Sequence, residues 1–173
     1  MKKFTKGFTL IELLIVIALL GALAVGLLAA LDPFEQLKKG TDTGVRNTVS
    51  EIHGAAIRYY GIKNYMPWCT DADTCTEPAA AGTLMNSTEG TAMLNSIITT
   101  GELKTDFIEL AGDGVLRKIL IYGNNADAKV EVCFEPLAKS FINDPNTKFT
   151  PATGLSGCVV DATNSNGCLW CVN

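Results

Sequence analysis

Residues 6–13 read Lys-Gly-Phe-Thr-Leu-Ile-Glu-Leu, and the apolar run they open, FTLIELLIVIALLGALAVGLLAAL, continues to residue 31. Across those 24 residues, Phe8 to Leu31, Glu12 is the one charge. A helix of that length spans roughly 36 Å at about 1.5 Å per residue, enough to cross a bilayer. Met1 to Gly7 carries Lys2, Lys3 and Lys6 and no acid. Such a cluster holds this end on the cytoplasmic side and sends everything after Leu31 outside.

The cysteines agree with that orientation. Cys69, Cys75, Cys133, Cys158, Cys168 and Cys171 all lie beyond residue 68, and His53 is the only histidine. Six cysteines with one histidine point to disulfides in an oxidising compartment rather than to a zinc site. Cys69 and Cys75 are poorly spaced for a finger and well spaced for a local, loop-closing bridge. The other four allow three pairings. Cys158 with Cys168 would staple the last hairpin and leave Cys133 to Cys171 across strands; a Cys168–Cys171 bridge is the alternative.

Composition excludes several classes. With 47% hydrophobic and 18% charged residues the chain is too apolar to be disordered, and 173 residues allow one domain plus an appendage. A net charge of −4 gives no electrostatic case for nucleic-acid binding, so no specific nucleic-acid partner is expected. There is no glycine-rich phosphate loop and no nucleophile motif, and a histidine-dependent triad would have to use His53. No enzyme activity, cofactor or metal is expected. Asp71, Asp73 and Glu77 alternate as in a calcium loop but lack its central glycine, and read as a solvated loop.

Three fates of the apolar run compete: a secretory signal peptide cut after Ala22-Leu23-Ala24, a plain signal anchor, and a leader cut between Gly7 and Phe8 that leaves the helix on the mature chain. Glu12 decides between them. A carboxylate inside an apolar span costs a few kcal/mol, about 3 on insertion scales for the related Asp, and a disposable segment has no use for it. A permanent helix does, if a cation reaches it. Cleavage after Gly7 makes that cation, the new α-amino group of Phe8, which a neighbouring copy can present to Glu12.

The run Lys6-Gly7-Phe8-Thr9-Leu10-Ile11-Glu12-Leu13 resembles the leader junction of type IV pilins and pseudopilins, and Gly21 matches their usual helix glycine. The resemblance is strong over residues 1–31, looser to about residue 68, and architectural beyond. It implies a membrane precursor cut after Gly7 by a prepilin peptidase and N-methylated on Phe8. An assembly ATPase and a platform protein then draw subunits from the inner membrane into a helical homopolymer on the cell surface. The family's roles include adhesion, twitching motility, DNA uptake and, for pseudopilins, secretion. A type II secretion pseudopilin and a membrane-anchored extracellular binding module are the alternatives. The cysteine-rich C-terminus favours a true pilin, since major pseudopilins are usually cysteine-poor. Many members carry a proline earlier in the helix than Pro33, and the stretch from the glycine to the proline can melt in the filament. Loss of the three leader lysines takes 14 basic residues to 11 against 18 acidic, a net of −7.

Downstream, Asp32 can cap a new helical start with Pro33 at its first position. Val45, Val49, Ile52, Ala56 and Tyr59 then form a continuous helical stripe, with Asp42, Arg46, Glu51 and Arg58 on other faces. His53 reads as solvated or partly packed. Arg58, Tyr59, Tyr60, Tyr65 and Pro67 resemble the family's tyrosine-rich helix exit. Asn86 and Glu89 suggest a capping box for a short helix from Ser87 to about Thr99, ending at Gly101, and Asn86-Ser87-Thr88 also fits a glycosylation sequon. Strands are expected at Val115–Tyr122, Lys129–Phe134, Leu155–Asp161 and Cys168–Val172, with turns at Gly123–Asn125 and Asn164–Gly167. In Lys129–Phe134, Val130 and Val132 alternate with Glu131.

The expected fold is α+β: a long N-terminal helix packed on an antiparallel sheet, with a disulfide-bridged C-terminal region. Its expected segments are a leader (1–7), a transmembrane and filament-core helix (8–31), the amphipathic half of the helix and its exit (32–68), and a globular head (69–173).

Overall fold

The structure, a computed structural model, describes residues 7–30 and 32–173. The leader lysines, and Leu31 at the expected helix break, lie outside the described residues. The chain divides into two compact units, residues 1–37 and 38–173.

The first unit holds helix α1, Leu10–Ala30, and the start of α2, Pro33–Lys63. Asp32 is not helical. Its Oδ1 accepts the amides of Phe34 and Glu35, both at 3.2 Å, and its carbonyl accepts that of Gln36. That is an N-cap with proline where a missing N–H costs nothing, as Asp32-Pro33 implies.

The second unit is α+β. The rest of α2 is followed by β1 (Thr83–Leu84), α3 (Thr88–Thr99), α4 (Phe107–Ala111), α5 (Asp113–Leu116), β2 (Ile119–Asn124), β3 (Lys129–Phe134), α6 (Lys139–Ile142), β4 (Thr147–Phe149) and β5 (Leu169–Val172). The five strands form one antiparallel sheet in the order β1-β2-β3-β5-β4.

The α2 stripe packs as its spacing requires. Val45, Val49, Ile52, Ala56 and Tyr59 are all buried, and they share one core with Ile119, Ile121, Val130, Val132, Phe134 and Trp170. Alternation sends the other sheet residues to the opposite face, where Tyr122, Cys133, Phe149, Leu169 and Cys171 form a second, smaller core. Both faces of β3 are therefore covered, and Glu131, expected to face water, is buried. Its carboxylate pairs with Lys129 Nζ at 3.0 Å. Burial, with the nearby Glu131 charge, pushes Tyr122 up to about 12, and its hydroxyl donates to the Pro151 carbonyl at 2.9 Å.

Several expectations are corrected. Val115 and Leu116 belong to α5, so the strand expected from Val115 is β2, Ile119–Asn124. Gly123 and Asn124 are still in it, and the turn falls on residues 125–128, where the Asn124 side chain accepts the Ala126 and Asp127 amides. Gly123 is needed for space: a Cβ there would sit 2.3 Å from Trp68 Cη2 and 2.6 Å from the Lys129 carbonyl. Leu155–Asp161 is not a strand; only Ser156 bridges, to Phe149 of β4, which the sequence reading missed. The cap of α3 is Ser87, whose Oγ accepts the Gly90 amide at 3.0 Å, while Asn86 instead donates to Asp113. His53 is half-buried; burial lowers its pKa, and a hydrogen bond with the Val130 backbone opposes that.

Three disulfides close the second unit: Cys69–Cys75, Cys133–Cys171 and Cys158–Cys168. Cys133 and Cys171 are direct cross-strand partners, so β3 and β5 are joined covalently in register. Native bridges of this kind contribute about 2–5 kcal/mol each.

Asp42, expected on a face other than the apolar stripe, is buried. Its Oδ2 accepts the amides of Leu137 and Ala138 at 2.8 and 2.7 Å, so a carboxylate on α2 holds the turn that leads from β3 into α6. Removing it leaves two inward N–H groups without their acceptor. Asp42→Ala is expected to destabilise the fold by about 3 kcal/mol, and Asp42→Asn, which keeps a carbonyl acceptor, by less. Chemical denaturation followed by Trp68 and Trp170 fluorescence checks the order; equal stability of wild type and Asp42→Ala refutes the clamp.

Candidate functional site

The candidate site is the N-terminal segment. Gly7 and Phe8 precede α1, non-helical and exposed. Every residue described from Gly7 to Leu28 is exposed. Phe8 and Leu10 are each 83% exposed, and the aliphatic side chains that follow are bare around the whole helix. Leu10–Leu28 is long and apolar enough to cross a membrane. An apolar cylinder on this scale requires lipid or other apolar helices around it, because isolated soluble proteins do not expose such a surface.

Glu12 lies in the first turn and is not idle. Its Oε2 accepts the Thr9 amide at 2.8 Å and the Thr9 hydroxyl at 2.7 Å, and its own amide donates to Thr9 Oγ1 at 3.3 Å. This is a reciprocal capping box. The sequence reading missed Thr9, although Thr9-Leu10-Ile11-Glu12 ahead of an apolar run is the pattern that signals one. In the single chain the box satisfies one carboxylate oxygen and three donors, the Thr9 amide and hydroxyl and the Glu12 amide. It leaves the Glu12 charge without a cation among the described residues, and the Phe8 main chain lies immediately before the cap.

Gly21 sits mid-way along α1, where an added Cβ would meet nothing within 4 Å. Nothing among the described residues requires a glycine there. Pro33 is the first residue of α2. The six cysteines lie far along the chain in the second unit and are all paired. Asp71 accepts the Asp73 and Thr74 amides of its own loop, and Glu77 accepts the Asn125 amide, so these acids organise local turns.

The family model of the prokaryotic N-terminal methylation motif matches residues 2–28. No curated protein and no solved structure matches the chain. The motif, a class III prepilin leader, is typical of type IV pilins and pseudopilins. It supports a pilin-like or pseudopilin structural protein rather than an enzyme, and implies processing by prepilin peptidase and filament assembly in general. With the apolar helix, it fits a single-pass membrane precursor later assembled into a surface pilus.

Because the capping box is local and the Glu12 charge is unfavourable in lipid, Glu12→Leu is expected to insert at least as firmly as wild type, having lost a cost of up to about 3 kcal/mol, the figure for a carboxylate at a helix centre. Alkaline extraction of membranes holding the full chain checks this. Easier extraction of Glu12→Leu would mean that the carboxylate supports insertion.

Proposed function

We propose that this chain is a structural subunit of a type IV pilus, cut between Gly7 and Phe8, N-methylated on Phe8, and polymerised through α1. The observation that carries the reading is the conjunction at the N-terminus: an exposed Gly7–Phe8 junction, an apolar helix exposed at every residue described from Leu10 to Leu28, and one carboxylate four residues from the proposed new α-amino group. Packing copies of α1 side by side covers the apolar surface without lipid. It also brings the Phe8 ammonium of one copy to Glu12 of the next, in a low-dielectric core where either charge alone is costly.

In this reading the segment between Gly21 and Pro33 absorbs the change from membrane helix to filament core. An assembly ATPase and a platform protein supply the work of extraction, and the cysteine-stapled second unit forms the shell. Cross-strand disulfides suit a shell that stands in an oxidising, mechanically loaded environment. Adhesion, twitching motility and DNA uptake are the roles open to such a filament.

Two measurements test this. Appendages sheared from the cell surface should contain this chain as their repeating subunit, starting at N-methyl-Phe8; a chain starting at Met1 or after Ala24, or absent from the appendages, overturns the reading. Glu12→Leu should be processed normally, remain in the membrane and yield few filaments. Filament numbers equal to wild type at equal processed-subunit levels would show that the charge pair is dispensable.

A further inference from the structure

The second unit carries a cleft of about 790 Å³ that the filament reading does not use. It lies between the Cys69–Cys75 loop, β1 and the first turns of α3. Trp68, Leu84 and Met93 supply apolar lining. The walls are pre-formed. One is closed by the Cys69–Cys75 bridge. The other abuts β1 so tightly that a Cβ on Gly90 would sit 2.1 Å from the Leu84 carbonyl oxygen. A site of this size, apolar in part and set before any ligand arrives, meets the general requirements for small-molecule binding.

Its polar groups define the ligand. Two carboxylates, Glu77 and Glu89, line the cleft with no lysine or arginine, which disfavours an anion. The hydroxyls are of two kinds. Ser87 Oγ accepts the Gly90 amide and Thr83 Oγ1 accepts the Ala79 amide, so each keeps its proton to donate. Thr70 Oγ1 donates to the Thr74 carbonyl and Ser96 Oγ to the Ala92 carbonyl, so each keeps lone pairs to accept. Thr88, also in the lining, is exposed at the start of α3. Trp68 and Met93 are 6% and 5% exposed, so Leu84, at 42%, offers the most open apolar surface of the three.

Donors and acceptors both line the cleft beside its apolar residues. An ammonium ligand would use the carboxylates and leave the Ser87 and Thr83 donors unmatched. A ligand that carries several hydroxyls, each both donor and acceptor, and a C–H face for Leu84, matches all of them. We propose that this cleft binds a neutral sugar, a pyranose unit without carboxylate, phosphate or amine. The assignment concerns the second unit alone and holds whether or not the chain polymerises.

The test is saturation-transfer NMR on the full chain in phosphocholine-detergent micelles, which present no sugar headgroup. The probes are glucose, galactose and N-acetylglucosamine, with sialic acid and N-acetyl-lysinamide as charged comparators. At least one neutral sugar should receive saturation, and neither charged probe should. Ala92→Trp, which fills the cleft from α3, should abolish the signal. Should that variant misfold, Thr88→Val and Glu89→Leu each remove one polar group from the lining, and each should weaken binding about fivefold, the equivalent of one net hydrogen bond. Absence of any neutral-sugar signal, a signal unchanged in the variants, or binding of the lysine amide in place of sugar overturns the proposal.

Discussion

A carboxylate in an apolar helix has to find partners, and the first unit is arranged around that constraint. Glu12 meets it locally through Thr9: three hydrogen bonds close the first turn of α1 and tie down one carboxylate oxygen. This settles the polar atoms and leaves the charge. Around it, Leu, Ile and Ala side chains offer nothing but dispersion, and dispersion does not distinguish one sliding register of two helices from another. A single fixed charge does. In the proposed filament the same residue that is a liability in lipid becomes the marker that sets how neighbouring helices align, and a new amino terminus at Phe8 would supply its cation at a fixed offset.

The second unit answers a different constraint. Its α2 stripe and the inner face of the sheet make a core that is ordinary in composition, but the sheet's outer face is covered only by irregular chain. Three bridges compensate. Cys133–Cys171 locks β3 to β5, Cys158–Cys168 holds the long connection before β5, and Cys69–Cys75 shapes the loop after the helix exit. Asp42 adds a polar tie from α2 to the start of α6. Irregular backbone over a sheet has few hydrogen-bonded neighbours of its own, so covalent and charge-assisted ties carry its position.

The sequence was most legible where one periodicity ruled. The apolar run, the Asp32-Pro33 helix start and the Val45-to-Tyr59 stripe each express a single physical demand, and each is present in the structure. Lys129–Phe134 was placed to the residue because its β-branched alternation is strong. Legibility failed where tertiary context decided. Asp42 stands three and seven residues before Val45 and Val49, on the line of the buried stripe, but its charge argued against burial, and the partners that make burial possible, the Leu137 and Ala138 amides, lie some 95 positions on. Glu131 alternates like an outward residue, yet the chain folds back over that side of β3. Val115 and Leu116 have strand-like side chains, but Asp113-Gly114 turns them into a short helix. Leu155–Asp161 is apolar enough for a strand and runs instead as irregular cover. At the N-terminus, Thr9 was readable from its spacing to Glu12, and the strength of the apolar signal hid it.

The measurement that bears most directly on the role of α1 is a reconstruction of the assembled filament at side-chain resolution. Copies of α1 should line its core, with the Phe8 amino nitrogen of one subunit within about 4 Å of a Glu12 carboxylate oxygen of another, the reach of an ion pair. A filament in which Glu12 stays bonded to Thr9 while the Phe8 amine faces solvent or another acceptor would contradict it, as would an assembly held together by the second unit with α1 outside the core.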